Sequence, residues 1–156
     1  MSQPSTLTAI KKLRAATGAG VMEAKRALDK AKGNLEEAKK VITAAGIVKA
    51  EKQADRQAES GMVFAYIHHT QLSGTIIELN CETDFVAKTS DFQSLAKELA
   101  LQVNSMNPSS VDDLLNQEYI RDPQITVSEL VKQTAAKVGE NVKVKRFQRF
   151  QVGEKA

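Results

Sequence analysis

Met62-Val63-Phe64-Ala65-Tyr66-Ile67-His68 and Thr75-Ile76-Ile77-Glu78-Leu79-Asn80 are two short runs of β-branched and aromatic residues in a chain that otherwise patterns as helix. Such residues suit the pleated, half-buried surface of a sheet. His69 to Gly74 between them supplies a turn, so the two runs form an antiparallel hairpin. Whatever packs on this hairpin decides the fold class.

Downstream, Ser90 with Gln93 three residues on is a helix-capping signature. Phe92, Leu95, Ala96, Leu99, Val103 and Met106 follow at helical spacing, the longest amphipathic stripe in the chain. Asn107-Pro108-Ser109-Ser110 ends it. A short helix from Val111 to Leu115 and a loop containing Pro123 come next. Ser128 caps a last helix through Val138, stopped by Gly139. Asn141 to Val152 patterns as a third strand. Val142 and Val144 alternate with Lys143 and Lys145, Phe147 falls on the opposite parity and Phe150 returns, so a β-bulge is expected near Arg146. Residues 61–156 therefore predict an α+β core, a three-stranded antiparallel sheet packed with helices.

Upstream, residues 1–46 predict a mini-domain of three short helices. Ser5 or Thr6 caps the first, with Leu7, Ile10 and Leu13 on one face. Thr17-Gly18-Ala19-Gly20 breaks it, since glycine accepts the backbone angles of a tight turn. The second runs from Val21 to Ala31 with Ala24 and Leu28 inward, and Gly33 ends it. Asn34 caps the third, with Glu37 placed for a capping box, Leu35, Ala38, Val41 and Ile42 inward, and Gly46 as its stop. Residues 47–60 favour helix but carry no strong apolar stripe, and predict a solvent-exposed helical or flexible linker.

The chain has 156 residues, 42% hydrophobic and 26% charged, without tryptophan. The core must rest on Leu, Ile, Val and Ala. A net charge of +3 permits an acidic partner or a weak nucleic-acid contact and demands neither. A single cysteine, Cys81, excludes an intrachain disulfide framework and suits a reducing compartment. No run approaches the roughly 20 apolar residues of a membrane span, and the first eight residues hold no signal-peptide core. A cytoplasmic protein is expected, with no membrane contact.

Enzyme templates are absent. There is no Gly-x-Ser-x-Gly, no phosphate loop, no dinucleotide fingerprint and no His-Glu-x-x-His. No catalytic residue, cofactor or metal is expected. Cys81 with His68 on the neighbouring strand makes a poor nucleophile and base, and a lone cysteine is usually a small buried hydrophobe. His68 and His69 would point to opposite faces of a strand and chelate poorly. Lys143, Lys145, Arg146 and Arg149 can contact RNA or simply guard an edge strand against aggregation, and the second reading weighs more. Asn80-Cys81-Glu82-Thr83-Asp84-Phe85-Val86-Ala87 lies between a strand and a helix. Phe85 there can wedge into a partner from a surface loop. It also stands seven residues before Phe92, so a helix beginning early would bury it, and spacing alone favours burial.

The chain resembles a known family at two long motifs. Leu13-Arg14-x-x-Thr17-Gly18-Ala19-Gly20-Val21-Met22-Glu23-Ala24-Lys25-Arg26-Ala27-Leu28 resembles the N-terminal signature of the elongation factor Ts family. Glu78-Leu79-Asn80-Cys81-Glu82-Thr83-Asp84-Phe85-Val86-Ala87 is similar to its second signature. Val138-Gly139-Glu140-Asn141 and Arg146-Phe147-x-Arg149-Phe150-x-Val152-Gly153-Glu154 look like later family segments. The resemblance implies a ubiquitin-associated-like N-terminal domain before the α+β core. It implies guanine-nucleotide exchange, without enzymatic chemistry, on the GTPase domain of elongation factor Tu. Leu13, Arg14, Val21, Met22, Thr83, Asp84, Phe85, Val86 and His68 would be the partner-binding residues, which turns the reading of Phe85 from core to wedge. Only one strand–helix unit fits the length, as in short members that act as homodimers. Direct nucleic-acid binding is not expected; an RNA- or ribosome-associated module using the basic last strand is the alternative.

Overall fold

The structure is a computed structural model that describes residues 6–155; Ser5, one of the two cap candidates, lies outside them. Thr6 caps α1 (Leu7–Thr17) by accepting the Ala9 N–H. Gly18 takes the left-handed backbone that turns the chain toward α2 (Val21–Lys30). Asn34 Oδ1 accepts the N–H groups of Glu36 and Glu37 and starts α3 (Leu35–Gln53). The expected reciprocal contact from Glu37 gives way to an ion pair, with Lys40 Nζ donating to its carboxylate. Ile10, Leu13, Ala24, Ala27, Leu28, Ala38 and Ile42 fill a small core between these helices.

Gly46 does not stop α3, which runs on to Gln53. Its missing side chain serves packing instead. A Cβ there would lie 2.8 Å from the Ala136 Cβ of the last helix, so glycine permits the close approach of two helices. The segment expected as an exposed linker is accordingly helical in its first half, and Ala50 is buried in the main core.

That core lies under a three-stranded antiparallel sheet of β1 (Ser60–Ile67), β2 (Ser73–Cys81) and β5 (Lys143–Gln151), in the order β1-β2-β5. A one-turn helix α4 (Asp84–Ala87) and the long α5 (Ser90–Met106) follow β2; α6 (Val111–Asn116) and α7 (Val127–Val138) precede β5. Ile77 and Leu79 of the central strand share this core with Phe92, Leu95, Leu99 and Val103 of α5 and with Val131 and Ala135 of α7. Burying the larger of these side chains stabilises the fold by roughly 1.5–3 kcal/mol each. The loop expected around Pro123 contains a small antiparallel pair, β3 (Glu118–Tyr119) and β4 (Asp122–Thr126).

Two caps stand ahead of their expected positions. Thr89 accepts the Phe92 N–H, so Ser90 is already helical. Thr126 and Glu129 form the capping box of α7, and Ser128 lies inside the helix. In the last strand Glu78 faces Arg146 and Leu79 faces Val144, which leaves Lys145 as the extra residue of a bulge. The bulge turns Phe147 toward the core and Phe150 to the opposite face. That face carries Val63, Ile67, Ile76 and Phe150, all exposed.

Candidate partner-binding surface

The second motif forms a rigid pedestal. β2 ends at Cys81 and the chain turns at Thr83, whose Oγ1 accepts the Val86 N–H and caps α4. Val86 is buried against the core and anchors the turn. Adjacent residues on a helix point about 100° apart, so anchoring Val86 drives Phe85 outward. Phe85 is 78% exposed, the most exposed large apolar side chain among the described residues. Beside it, Lys88 Nζ donates to Asp84 Oδ2 at 2.9 Å and holds that carboxyl below the ordinary carboxylate range.

The pedestal is tied from behind by residues far along the chain. The N–H groups of Glu82 and Thr83 donate to Glu140 Oε2 at 3.1 and 3.0 Å, and the Thr83 hydroxyl donates to Glu140 Oε1 at 2.7 Å. Glu82 answers by accepting the Asn141 N–H at 2.7 Å. Asn141 Nδ2 donates to the carbonyls of Ala54 and Arg56, just past α3. Thr83 and Val86 thus shape the pedestal from within, while Phe85 and Asp84 face outward.

The first motif divides in the same way. Val21 and Met22 open α2 and are 50% and 59% exposed. Leu13, expected on the contact surface, is fully buried among the three helices, because its α1 position faces Ala24 and Leu28. Its place is beneath the surface. Arg14 Nε donates to the Ala19 carbonyl at 3.2 Å, and Thr17 Oγ1 donates to Leu13 O while accepting the Ala19 N–H. These bonds fix the turn that presents Val21 and Met22.

His68 stands apart. It follows Ile67, which pairs with Gly74, whereas Cys81 pairs with Ser60 at the other end of the hairpin. At strand rise the ends are about 23 Å apart, so Cys81 and His68 form no catalytic pair. Burial, then the Glu140 carboxylate, pushes the Cys81 thiol up, and its S–H donates to the Thr83 carbonyl. The strand has ended before His68, so the expected alternation does not apply. The His68 and His69 rings lie 4.2 Å apart, with the Tyr66 hydroxyl 3.0 Å from His68 Nδ1. Among the described residues no group of three or more His, Cys, Asp or Glu could hold a metal.

The basic strand is not a continuous patch. Arg146 pairs with Glu78 at 2.7 Å, and Arg149 turns inward to the Asn104 carbonyl and Glu154. Of the four cations of this strand, Lys143 and Lys145 form no ion pair among the described residues. No helix there is long and apolar enough to cross a membrane.

The family model described as Elongation factor TS matches residues 82–156. Curated relatives named Elongation factor Ts align along nearly the whole chain. One from Thermoanaerobacter sp. is 36% identical over 191 residues, covering 94% of this chain and 94% of that protein. One from Carboxydothermus hydrogenoformans is 36% identical over 190 residues, covering 93% and 88%. One from Coprothermobacter proteolyticus is 37% identical over 190 residues, covering 93% and 96%. These alignments are longer than the 156 residues present here, so the relatives carry segments without a counterpart in this chain.

Proposed function

This chain belongs to the elongation factor Ts family, and we propose that it binds elongation factor Tu in its GDP form and promotes GDP release during translation elongation. The observation that carries this reading is Phe85, a large apolar side chain held out in water by a pedestal whose other groups are capped, buried or hydrogen-bonded. A protein gains little from that arrangement on its own. An aromatic anchor entering a partner's pocket gains much.

The mechanism follows from what holds GDP. A GTPase grips the diphosphate through Mg²⁺ and backbone donors. Phe85, with Asp84 beside it, inserts near that site and displaces the supporting helix, so metal and phosphate contacts loosen together. The factor weakens GDP and GDP weakens the factor by the same amount, so the coupling is reciprocal. No covalent bond is made or broken and no cofactor is needed. Val21 and Met22 give the N-terminal helices a second apolar contact on the GTPase domain, with Arg14 bracing the turn behind them. His68 would make a separate contact, because it stands at the far end of the hairpin.

The protein would work in the cytoplasm as a homodimer. The exposed Val63, Ile67, Ile76 and Phe150 on one sheet face support that assembly, since a contiguous apolar patch on a soluble chain marks an interaction surface. The RNA-binding alternative draws no support from the last strand, where two of the four cations are engaged by carboxylates. Release of a fluorescent GDP analogue from elongation factor Tu, with this chain and with Phe85→Ala, tests the reading.

A further inference from the structure

We infer that Glu140 is a positioning residue for Phe85, holding the exchange wedge in place from the opposite end of the domain sequence. This rests on the exchange role proposed above. Glu140 sits between the end of α7 and β5, in the later segment Val138-Gly139-Glu140-Asn141 and outside the motif that carries the wedge. Its carboxylate accepts two backbone N–H groups and one hydroxyl, all from Glu82 and Thr83. Such charge-assisted bonds are about twice as strong as neutral ones. They fix the two residues immediately before α4, and so the direction in which α4 leaves the sheet.

The same junction reaches the N-terminal helices. Glu82 accepts from Asn141, Asn141 holds the carbonyls of Ala54 and Arg56, and Arg56 Nη1 lies 3.6 Å from the Glu82 carboxylate. The wedge and the chain leaving α3 are thereby tied to one point. A partner that engages Met22 and Phe85 together meets two surfaces whose separation is already set. Preorganisation of this kind is worth most when a displacement of about 1 Å costs rate. Without the Glu140 carboxylate the Glu82 and Thr83 N–H groups turn to water and α4 swings on its tether. Phe85 stays exposed and chemically intact but is wrongly aimed.

Two measurements on the full chain test this. The first needs no partner: amide hydrogen exchange followed by NMR in wild type, Glu140→Ala and Glu140→Gln. Glu140→Ala is expected to speed exchange at Glu82, Thr83 and Val86 by about tenfold or more, while Ile77 and Leu79 in β2 keep their rates. Glu140→Gln, whose amide oxygen still accepts from both N–H groups, recovers most of the protection. Unchanged loop amides would overturn the inference, and so would equal acceleration in β2, which would make Glu140 a support of the sheet. The second is GDP release from elongation factor Tu. Glu140→Ala is expected to slow the saturated rate about tenfold with little change in the half-saturating concentration. It should add nothing in a Phe85→Ala background, because it acts through that side chain; additive losses would overturn the inference. Inactive wild type would instead overturn the exchange reading, and the partner-free amide rates tell the two failures apart.

Discussion

Gly46 of α3 lies so close to Ala136 of α7 that a Cβ on the glycine would stand 2.8 Å from the alanine methyl. Cβ atoms do not approach that closely, so Gly46→Ala must push the two helices apart. Glycine inside a helix costs about 1 kcal/mol relative to alanine, which favours the substitution. Overpacking costs about 1–3 kcal/mol, which opposes it. The steric cost wins, because parting the helices disturbs packing on both of them: Ala50 of α3 and Ala135 of α7 are buried in the main core. Gly46→Ala should lower stability by about 1 kcal/mol in urea unfolding, and a more stable variant would show that the helices part freely.

Leu13 and Phe85 should behave oppositely on truncation, although both fall within family motifs. Leu13 is fully buried, so Leu13→Ala should cost about 2–5 kcal/mol of stability. Phe85 touches little of its own chain, so Phe85→Ala should stay within about 0.5 kcal/mol of wild type. Equal melting temperatures for the two variants would contradict this division between supporting and presented residues.

Asp84 carries a pH signature. Its hydrogen bond and charge interaction with Lys88 depress its folded pKa below the ordinary 3.8. A carboxyl depressed on folding contributes stability above its unfolded pKa and loses it as pH falls through its folded pKa. The pair is therefore complete at neutral pH and fades only below pH 3.8. Both groups are exposed, so the consequence is local and salt-sensitive. Lys88→Ala should raise the Asp84 pKa in an NMR titration of the side-chain carboxyl; an unmoved titration would mean that Lys88 does not hold it.

How much was legible depends on range. The hairpin, the α5 stripe, the Thr17–Gly20 turn and the bulge beside Arg146 all arise from neighbours in sequence, and residue type and spacing express them. Gly46 looked like a helix stop because its reason, Ala136, is ninety residues away. The α7 cap is local as well, since Thr126 and Glu129 stand at capping-box spacing three residues apart; Ser128, two residues further on, offers a competing cap of the same chemistry. Spacing favoured burying Phe85, and α4 explains why that fails: Thr83 starts a separate helical turn that ends before Thr89 caps α5, so Phe85 and Phe92 share no stripe. The Glu140 brace left no local signal, since its partners are 57 and 58 residues distant.

The open sheet face predicts self-association. Ile76 lies on the central strand among Val63, Ile67 and Phe150, and none of these side chains supports the monomer's core. Ile76→Glu should convert a dimer to a monomer in sedimentation velocity while leaving the melting of the monomer nearly unchanged. Wild type that sediments as a monomer, or a variant that remains dimeric, would remove this face from the account.

Release of a fluorescent GDP analogue from elongation factor Tu tests the central claim most directly. Wild type should accelerate release, and Phe85→Ala should lose about 2 kcal/mol of that effect, close to a thirtyfold drop in rate at equal folded concentration. Acceleration that survives Phe85→Ala undiminished would contradict the wedge, and no acceleration by wild type would contradict the exchange function itself.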